Sequence, residues 1–368
     1  MEQRKYYMKI ALVTNIPAPY RIPVYNKVAE VYGDDFLVVF CAKYEPNRAW
    51  NLPVIKCNHL FLKEKIHAKK DGYNFVHNNI EVLNKLNEYN PDIVITTGYN
   101  PTHLYAWLYT VVKRKKHIPM TDGWTYSEHN LSWLHRWIRK VVFKTSDAYI
   151  GASKNSMALF ESYGVANSKI FQSHLCVNNK SFANTNSLDM RPFDLMFSGS
   201  FHERKLPYLF ADVARILKEK IPNLKVLILG DGELKTKFFA MLEASKIEYS
   251  YAGYVKQEEL PQYYNQSKLF LFTTRLDAWG LVVNEAMASG TPVITTPYAG
   301  VINDLVIDGY NGRVLELDAQ LWAKEILSVL LNKNVWELYS KNSIKSVQRF
   351  TFDRAANGII EACRSIDV

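Results

Sequence analysis

The chain has 368 residues and a hydrophobic share of 48%, which is enough for the cores of two domains and excludes extended disorder. No run of about 18 apolar residues occurs, so the sequence predicts no membrane-spanning helix. The net charge of +9 is unevenly placed: residues 1–184 hold 24 lysines and arginines against 14 acidic residues, and residues 185–368 hold 21 against 22. A basic half of this kind indicates an anionic partner, either nucleic acid or a membrane surface.

The four cysteines are scattered without a CxxC pair, at Cys41, Cys57, Cys176 and Cys363. This pattern is typical of a reducing cytosol and argues against a structural zinc site. The apolar part of the first 15 residues is too short for a signal peptide. We therefore expect a cytoplasmic protein.

Strand-length apolar runs alternate with helix-length segments along the chain, which predicts parallel sheets covered by helices. In the first half, strands are predicted at residues 9–14, 35–40, 92–97 and 147–152. A polar segment without periodicity is predicted to be a linker, at residues 178–192. In the second half, strands are predicted at 193–199, 224–230, 268–274 and 291–296, with helices within 204–220, 233–245 and 257–266.

Two doubly wound domains with a cleft between them are the simplest architecture for this order of elements. The predicted boundaries are 1–182 for the first domain, 183–350 for the second, and 351–368 for a final helix that packs back on the first. Because parallel sheets bind ligands beyond the carboxyl ends of their strands, the candidate site residues are those in the loops that follow the strands.

Two strand ends of the second half carry residues suited to a phosphate group. One predicted strand ends in Gly199-Ser200 and is followed by Arg204-Lys205, whose cations can neutralise phosphate. The next ends in a Gly-Asp-Gly turn that begins at Gly230, a weaker signal because many strand-to-helix turns contain these residues. The alternative interpretation of Arg204 and Lys205 is the solvated start of a helix.

The segment DAWGLVVNEAMASGTPVI, residues 277–294, is predicted to be a loop, a short helix that begins near Gly280, and a strand. Asp277 in the loop and Glu285 two turns into the helix could face one ligand. Backbone N–H groups near Gly280 and Leu281 could bind a diphosphate, because a helix N-terminus attracts anions. The alternative makes Asp277 a helix cap and Glu285 a solvated residue.

In this order and spacing, the three segments resemble the retaining glycosyltransferases of family 4. The segment 277–294 is similar to that family's E-x7-E signature, with Asp277 in place of the first glutamate. Residues 252–274 resemble the family's base-binding region, and residues 147–165 with 169–182 resemble the bridge between its domains. The resemblance implies an α/β GT-B fold, with two Rossmann-like domains of doubly wound parallel sheet that face a deep cleft.

The resemblance also implies roles by position. Asp277 would contact the donor sugar, Glu285 the nucleotide ribose, and Lys205 the diphosphate. Arg204 would replace a cation that many members have where this chain has Ser200. The other donor-binding residues implied are Gly199, Gly230, Val255, Trp279, Gly280, Leu281 and Val282, with the backbone near Val255 at the base.

The implied reaction transfers a sugar from a nucleotide diphosphate-sugar, of the UDP or GDP type, with retention of the anomeric configuration. The attacking hydroxyl could pass its proton to the departing phosphate, so no protein general base is needed. No Asp-x-Asp metal signature occurs, so neither a divalent ion nor another cofactor is predicted. The donor sugar, the base and the linkage stay open.

The first half is expected to bind the acceptor through loops that follow its strands. The residues assigned to the acceptor are Tyr20, Arg21, Glu128 and His129. Asp122, in the loop TDGWTYSEHN, is assigned to the reacting sugar, near the place where family members often have a histidine. Plain strand-to-helix connections with solvated side chains are the alternative.

Residues 131–145, LSWLHRWIRKVVFKT, form a predicted basic helix with tryptophans, which suits the surface of a membrane. The residues assigned to the membrane are Trp133, Arg136, Trp137, Arg139 and Lys140, and a further cationic run lies at 111–117. An anionic membrane surface would then be a partner, with a glycan or polyprenyl-diphosphate-linked acceptor at its cytoplasmic face. The alternative is a helix packed on the core with an ordinary solvated side.

The leading hypothesis is a bacterial glycosyltransferase bound peripherally at the inner face of the cell membrane. It would build a surface polysaccharide (O-antigen of lipopolysaccharide, capsule or exopolysaccharide) or a glycolipid. A nucleotide-sugar epimerase with the same fold, a soluble transferase on a small acceptor, and a sugar-binding module without catalysis are alternatives. Nucleic acid is disfavoured as a partner because the second half is near neutral and no nucleic-acid module is recognisable.

Overall fold

The chain divides into two compact units in the computed structural model, which describes residues 8–46, 54–68, 75–129, 131–183 and 185–366. Unit 1 comprises Met1–Leu175 together with Phe352–Val368, and unit 2 comprises Cys176–Thr351. The final helix therefore belongs with the first half of the chain. None of the helices in the described part of the chain combines the length and the apolar character needed to cross a membrane.

Unit 1 is an α/β unit whose strands are β1 Ile10–Thr14, β2 Phe36–Phe40, β3 Asn58–Phe61, β4 Ile66–Ala68, β5 Phe75–His77, β6 Ile93–Thr96, β7 Lys116–Thr121, β8 Tyr149–Gly151 and β9 Ile170–Gln172. Its helices are α1 Ile22–Tyr32, α2 Val82–Tyr89, α3 Pro101–Lys113, α4 Trp133–Lys144, α5 Lys154–Ser162 and the carboxy-terminal α12 Phe352–Arg364. Seven strands form one parallel sheet in the order β3-β2-β1-β6-β7-β8-β9, and β4 pairs with β5 in a small antiparallel sheet.

The sequence of unit 1 explains why its central strands are buried on both faces. β1 is IALVT and β2 is FLVVF, and every residue of both strands is buried. Near-continuous apolar runs of this kind are what a parallel sheet with helices on both faces requires. The strand order reverses between β1 and β6, so the loops that follow these two strands diverge there and leave a crevice for a ligand.

Unit 2 repeats this architecture with a six-stranded parallel sheet. Its strands are β10 Phe193–Ser198, β11 Lys225–Leu229, β12 Glu248–Gly253, β13 Ser267–Phe272, β14 Val293–Thr295 and β15 Gly312–Val314. Its helices are α6 Pro207–Lys218, α7 Lys235–Ala244, α8 Pro261–Tyr264, α9 Leu281–Ala288, α10 Ala319–Leu330 and α11 Lys333–Val347. The order β12-β11-β10-β13-β14-β15 reverses between β10 and β13, which places the loops after these strands at the switch point.

The predicted elements and the observed ones differ at several places. The helix predicted within 257–266 is reduced to the single turn α8, and the helix predicted from 204 begins at Pro207. Residues Glu203–Lys205 instead form a 3-10 turn ahead of α6. The predicted linker also carries 3-10 turns, at Asn179–Phe182 and Leu188–Met190. The strands that the sequence did not predict are β3, β4, β5, β7, β9, β12 and β15.

Candidate active site

A turn that carries two cations is fixed to the carboxyl edge of the unit 2 sheet. The turn Glu203–Lys205 follows β10, and its backbone carbonyls accept hydrogen bonds from residues at the end of β13. The Thr273 hydroxyl donates to the Lys205 carbonyl at 2.8 Å, and the Thr274 hydroxyl donates to the Arg204 carbonyl at 3.1 Å. These bonds hold Arg204 and Lys205 at the switch point of the sheet.

Asp277 lies between these two cations. Its Oδ2 is 2.5 Å from the Lys205 Nζ and 3.4 Å from an Arg204 Nη1, and its Oδ1 accepts from the Trp279 N–H at 3.1 Å. Burial alone would raise the pKa of Asp277, but the charges of Lys205 and Arg204 outweigh burial and the pKa is lowered. Asp277 is therefore a carboxylate at neutral pH, and it neutralises part of the charge of the turn.

Gly280 forms the sharp entry into α9. Its φ is +104°, and a Cβ built there would lie 2.5 Å from the Phe272 Cζ, so a side chain would both strain the backbone and collide with a core ring. The buried Trp279 donates from Nε1 to the Asn284 Oδ1 at 2.8 Å, which ties the loop to the helix that it begins. The backbone amides of Gly280, Leu281 and Val282 thus lie at a fixed helix N-terminus, beside the carboxylate of Asp277.

Glu285, one turn further into α9, is 6% exposed. Its Oε2 accepts from the hydroxyl of the buried Tyr264 at 2.8 Å, and the Tyr264 hydroxyl also lies 3.1 Å from the Ser198 Oγ at the end of β10. Burial raises the pKa of Glu285 to about 7, with a smaller opposing effect of the Tyr264 hydrogen bond. Glu285 thus shares the carboxyl edge with Asp277, but in the described part of the chain its carboxylate is bonded to a tyrosine hydroxyl and not to a cation.

The remaining predicted donor residues follow neighbouring strands of the same sheet. Gly199 and the exposed Ser200 follow β10, Gly230 follows β11, and the half-buried Val255 follows β12. A Cβ at Gly230, whose φ is +114°, would lie 1.9 Å from the Gly199 carbonyl oxygen, so the two loops touch through their backbones. The donor-binding roles of these residues stay predictions.

The carboxylates of this edge do not form a metal-binding group. Within the part of the chain that the structure describes, no three His, Cys, Asp or Glu side chains lie together in a way that could hold a metal ion. Asp277 and Glu285 are instead held by cations and a tyrosine hydroxyl.

A second group of predicted residues meets at the switch point of unit 1. Arg21, after β1, is buried, and its Nη2 lies 2.7 Å from the Asp122 Oδ1 after β7, while Nη1 donates to the Ser173 carbonyl at 3.1 Å. Burial alone would lower the pKa of Arg21, but Asp122 together with Tyr25 and Tyr20 outweighs burial and the pKa is raised. Tyr20, Arg21 and Asp122 all line one pocket of about 160 Å³.

Sequence reasoning missed one functional candidate in this pocket. Glu45, after β2, lines the pocket and is 8% exposed, and its Oε1 lies 2.9 Å from the Nε2 of the fully buried His77. The sequence signal that could have found Glu45 was its position, five residues after the end of β2. The partner, His77, is remote in the chain and could not be inferred.

Glu128 and Arg139 correct two assignments. The Arg139 Nε lies 2.6 Å from the Glu128 Oε1, both side chains are nearly buried, and the guanidinium stacks 4.2 Å from the centroid of the Tyr99 ring. Burial raises the pKa of Glu128, with Arg139 opposing. Arg139 therefore does not belong to the exposed face on which the sequence placed it, and Glu128 is paired internally. Neither Glu128 nor the exposed His129 is among the residues that line the pocket.

The other residues assigned to the membrane lie on the exposed side of α4. Trp133 is 76% exposed and Trp137 is 57% exposed, and Arg136 and Lys140 are exposed beside them. Arg136 also donates to the carbonyls of Leu131 and His129, at 3.1 and 2.9 Å. Two tryptophans with this exposure are unusual on a solvated helix.

Comparison with solved structures shows the fold of the chain. HepE of Anabaena, in complex with UDP-glucose, superposes with a TM-score of 0.73 at 16% identity, over 98% of this chain and 100% of that chain. Together with the two parallel sheets, this similarity confirms the GT-B fold predicted from the sequence.

Comparison with protein families identifies the chain more closely. The model of the family described as Glycosyl transferases group 1 matches residues 179–365, which is half of the chain. The chain belongs to this family, and the resemblance to family 4 is consistent with that membership.

Curated relatives match over shorter stretches. Alpha-monoglucosyldiacylglycerol synthase of Acholeplasma laidlawii is 29% identical over 148 residues, which are 36% of this chain and 37% of that protein. An uncharacterized glycosyltransferase of Methanocaldococcus jannaschii is 27% identical over 168 residues, 45% of this chain and 46% of that protein. The chain thus matches less than half of the length of either relative.

Proposed function

We propose that the protein is a retaining glycosyltransferase that takes a sugar from a nucleotide diphosphate-sugar and passes it to a glycan or lipid-linked acceptor. The observation that carries this proposal is the grouping of Asp277, Lys205, Arg204 and the N-terminus of α9 at the switch point of unit 2. Cations and helix amides suit a diphosphate, and the buried Glu285 suits the hydroxyls of a ribose. The fold that HepE shows in complex with UDP-glucose supports the same class of donor.

The chemistry follows from where charge develops. Cleavage of the bond between the sugar and the diphosphate puts negative charge on the leaving group. Lys205, Arg204 and the amides at Gly280 and Leu281 would stabilise that charge in the transition state, and one positioned donor of this kind contributes roughly 3 kcal/mol. Asp277 would face the sugar, which carries positive charge at that moment. The departing phosphate would take the proton of the attacking hydroxyl, so this proposal uses no metal ion and no protein base.

We propose that unit 1 binds the acceptor. We also propose that unit 1 lies against an anionic membrane surface. A surface that we call the α3–α4 surface presents large apolar side chains to solvent: Leu108, Val111 and Val112 on α3, and Trp133, Leu134 and Trp137 on α4. The Trp107 Nε1 donates to the Thr145 Oγ1 at 2.9 Å, which joins α3 to the carboxyl end of α4. Lys113, Arg114, Lys140 and Lys144 are exposed next to the apolar groups, which suits the inner face of a cell membrane. The relative from Acholeplasma laidlawii is named as a glycolipid synthase, which supports a lipid acceptor.

The experiment is a screen of UDP- and GDP-sugars with membrane extract or synthetic lipid-linked sugars as acceptors. The proposal predicts that nucleoside diphosphate is released only with an acceptor, and that the product keeps the anomeric configuration of the donor in its NMR spectrum. Lys205→Ala should mainly slow transfer, and Glu285→Ala should weaken nucleotide binding. An epimerised nucleotide sugar, an inverted product, or binding without turnover would each overturn the proposal.

A further inference from the structure

The pocket of unit 1 differs in charge from the site of unit 2. The described side chains that line it include two carboxylates, Glu45 and Asp122, and one cation, Arg21. That cation is already committed, because Arg21 bonds Asp122 at 2.7 Å and both the carbonyl and the hydroxyl of Ser173 at 3.1 and 3.3 Å. Among the described residues of the lining, an anionic ligand would thus meet more carboxylates than cations, and the cation is already bonded to Asp122.

The other polar side chains of the lining are uncharged. Thr14, Asn15 and Thr97 contribute hydroxyl and amide groups, and the Thr97 hydroxyl donates to the Thr14 Oγ1 at 2.9 Å. Burial raises the pKa of Tyr25 to about 12, so its hydroxyl is neutral. Groups of this kind both donate to and accept from the hydroxyls of a sugar, but they carry no positive charge to neutralise a phosphate.

Glu45 is the side chain best placed to bind such hydroxyls. It follows β2, which neighbours β1 in the sheet, and it lies among residues of the loops after β1, β6 and β7. Its Oε1 accepts from the buried His77 Nε2 at 2.9 Å, which fixes the orientation of the carboxylate toward the pocket. A carboxylate held in this way accepts strong hydrogen bonds from neighbouring hydroxyls of a sugar or polyol.

We infer that this pocket binds the hydroxylated, uncharged end of the acceptor, and that Glu45 determines this specificity. The inference deepens the proposed function, because it takes unit 1 as the acceptor side. The reacting end of the acceptor would then be a neutral glycosyl or polyol unit. Any phosphate that the acceptor carries would lie outside the pocket.

The test measures sugar binding directly, by saturation-transfer NMR with the intact protein. The probes are the methyl glycosides of glucose, galactose, mannose and rhamnose, together with glucose 6-phosphate as the anionic probe. Glu45→Gln keeps the size of the side chain and the hydrogen bond to His77 but removes the charge. Glu161→Gln is the matched control, since Glu161 is an exposed residue of α5. Thr97→Val is a second pocket variant in case Glu45→Gln unfolds, which circular dichroism reports.

We expect at least one neutral glycoside to bind the wild type and Glu161→Gln alike, and at least tenfold more weakly to Glu45→Gln. Glucose 6-phosphate should bind the wild type at least tenfold more weakly than that glycoside. Binding of none of the four glycosides, equal binding to Glu45→Gln, or equal binding of the phosphate probe would each overturn the inference. UDP and GDP affinity, measured on the same samples, separates the two proposals: if neither nucleotide binds, the proposed function fails whatever the pocket does.

Discussion

Replacing Asp277 by asparagine should tighten the binding of nucleoside diphosphate while it abolishes transfer. In the structure, the carboxylate of Asp277 is bonded to a cation that a diphosphate needs, with 2.5 Å between its Oδ2 and the Lys205 Nζ. UDP and GDP have no sugar for Asp277 to contact. For these ligands the Asp277 carboxylate only repels the phosphate and competes with it for the Lys205 ammonium.

The magnitude follows from Coulomb's law. A phosphate oxygen in hydrogen-bond contact with the free side of the Lys205 ammonium would lie on the order of 5–6 Å from the Asp277 carboxylate. Two unit charges at that separation repel by about 3 kcal/mol at an effective dielectric constant near 20. Both side chains are largely buried, at 13% and 14% exposure, so solvent screens this repulsion only in part. Since 1.4 kcal/mol is a factor of ten, we expect affinity to rise by at least about tenfold.

Isothermal titration calorimetry with UDP and with GDP measures the effect, and product formation measures transfer. Glu248→Gln is the matched control, because Glu248 is an exposed carboxylate at the start of β12, at the opposite edge of the same sheet. The affinity of Glu248→Gln for UDP and GDP should equal that of the wild type. Unchanged or weaker binding of both nucleotides by Asp277→Asn would refute the reasoning.

Three further predictions concern the fold, the titration of Glu285 and the membrane. Gly280→Ala should lower the free energy of unfolding in urea by more than about 2 kcal/mol, because a Cβ collides with Phe272 and the φ of +104° is strained; a change below about 0.5 kcal/mol would contradict this. Relative to Glu285→Gln, the wild type should lose roughly 3 kcal/mol of unfolding free energy as the pH rises from about 4.5 to above 7, since the folded pKa of Glu285 near 7 favours the protonated acid and burying the carboxylate is costly; a difference between the two proteins that does not change with pH would contradict the assignment. Trp133→Ala with Trp137→Ala should reduce sedimentation with anionic liposomes several-fold, whereas an exposed control, Tyr310→Ala, should not; equal sedimentation would favour an ordinary solvated helix.

The fold could be predicted because its central strands are apolar throughout. Runs such as FLVVF in β2 and KVLIL in β11 are short, continuous and bounded by turn residues, and they alternate with helix-length segments. The missed strands lack this signal. β7 is KHIPMT, with a proline and a basic start, and β12 is EYSYAG, an edge strand that alternates polar and aromatic residues. Their pairing is set by neighbours far away in the chain.

The donor side of the candidate site could be predicted better than the acceptor side. The grouping of Asp277, Lys205 and Gly280 follows from one motif and one strand end, both visible in the sequence. The partner of Glu285, Tyr264, lies 21 residues away on a separate turn, and no sequence signal joins the two. Glu45 and the internal pair of Glu128 with Arg139 depend on tertiary packing, which periodicity cannot show.

The most direct test is a crystal structure of the protein with UDP or GDP bound. The account predicts that the diphosphate lies against the backbone amides of Gly280 and Leu281. It also predicts a phosphate oxygen within direct hydrogen-bond distance of the Lys205 Nζ, about 3 Å. It also predicts that Asp277 has moved away from Lys205. A diphosphate bound elsewhere, with the contact of 2.5 Å between Asp277 and Lys205 intact, would contradict the account.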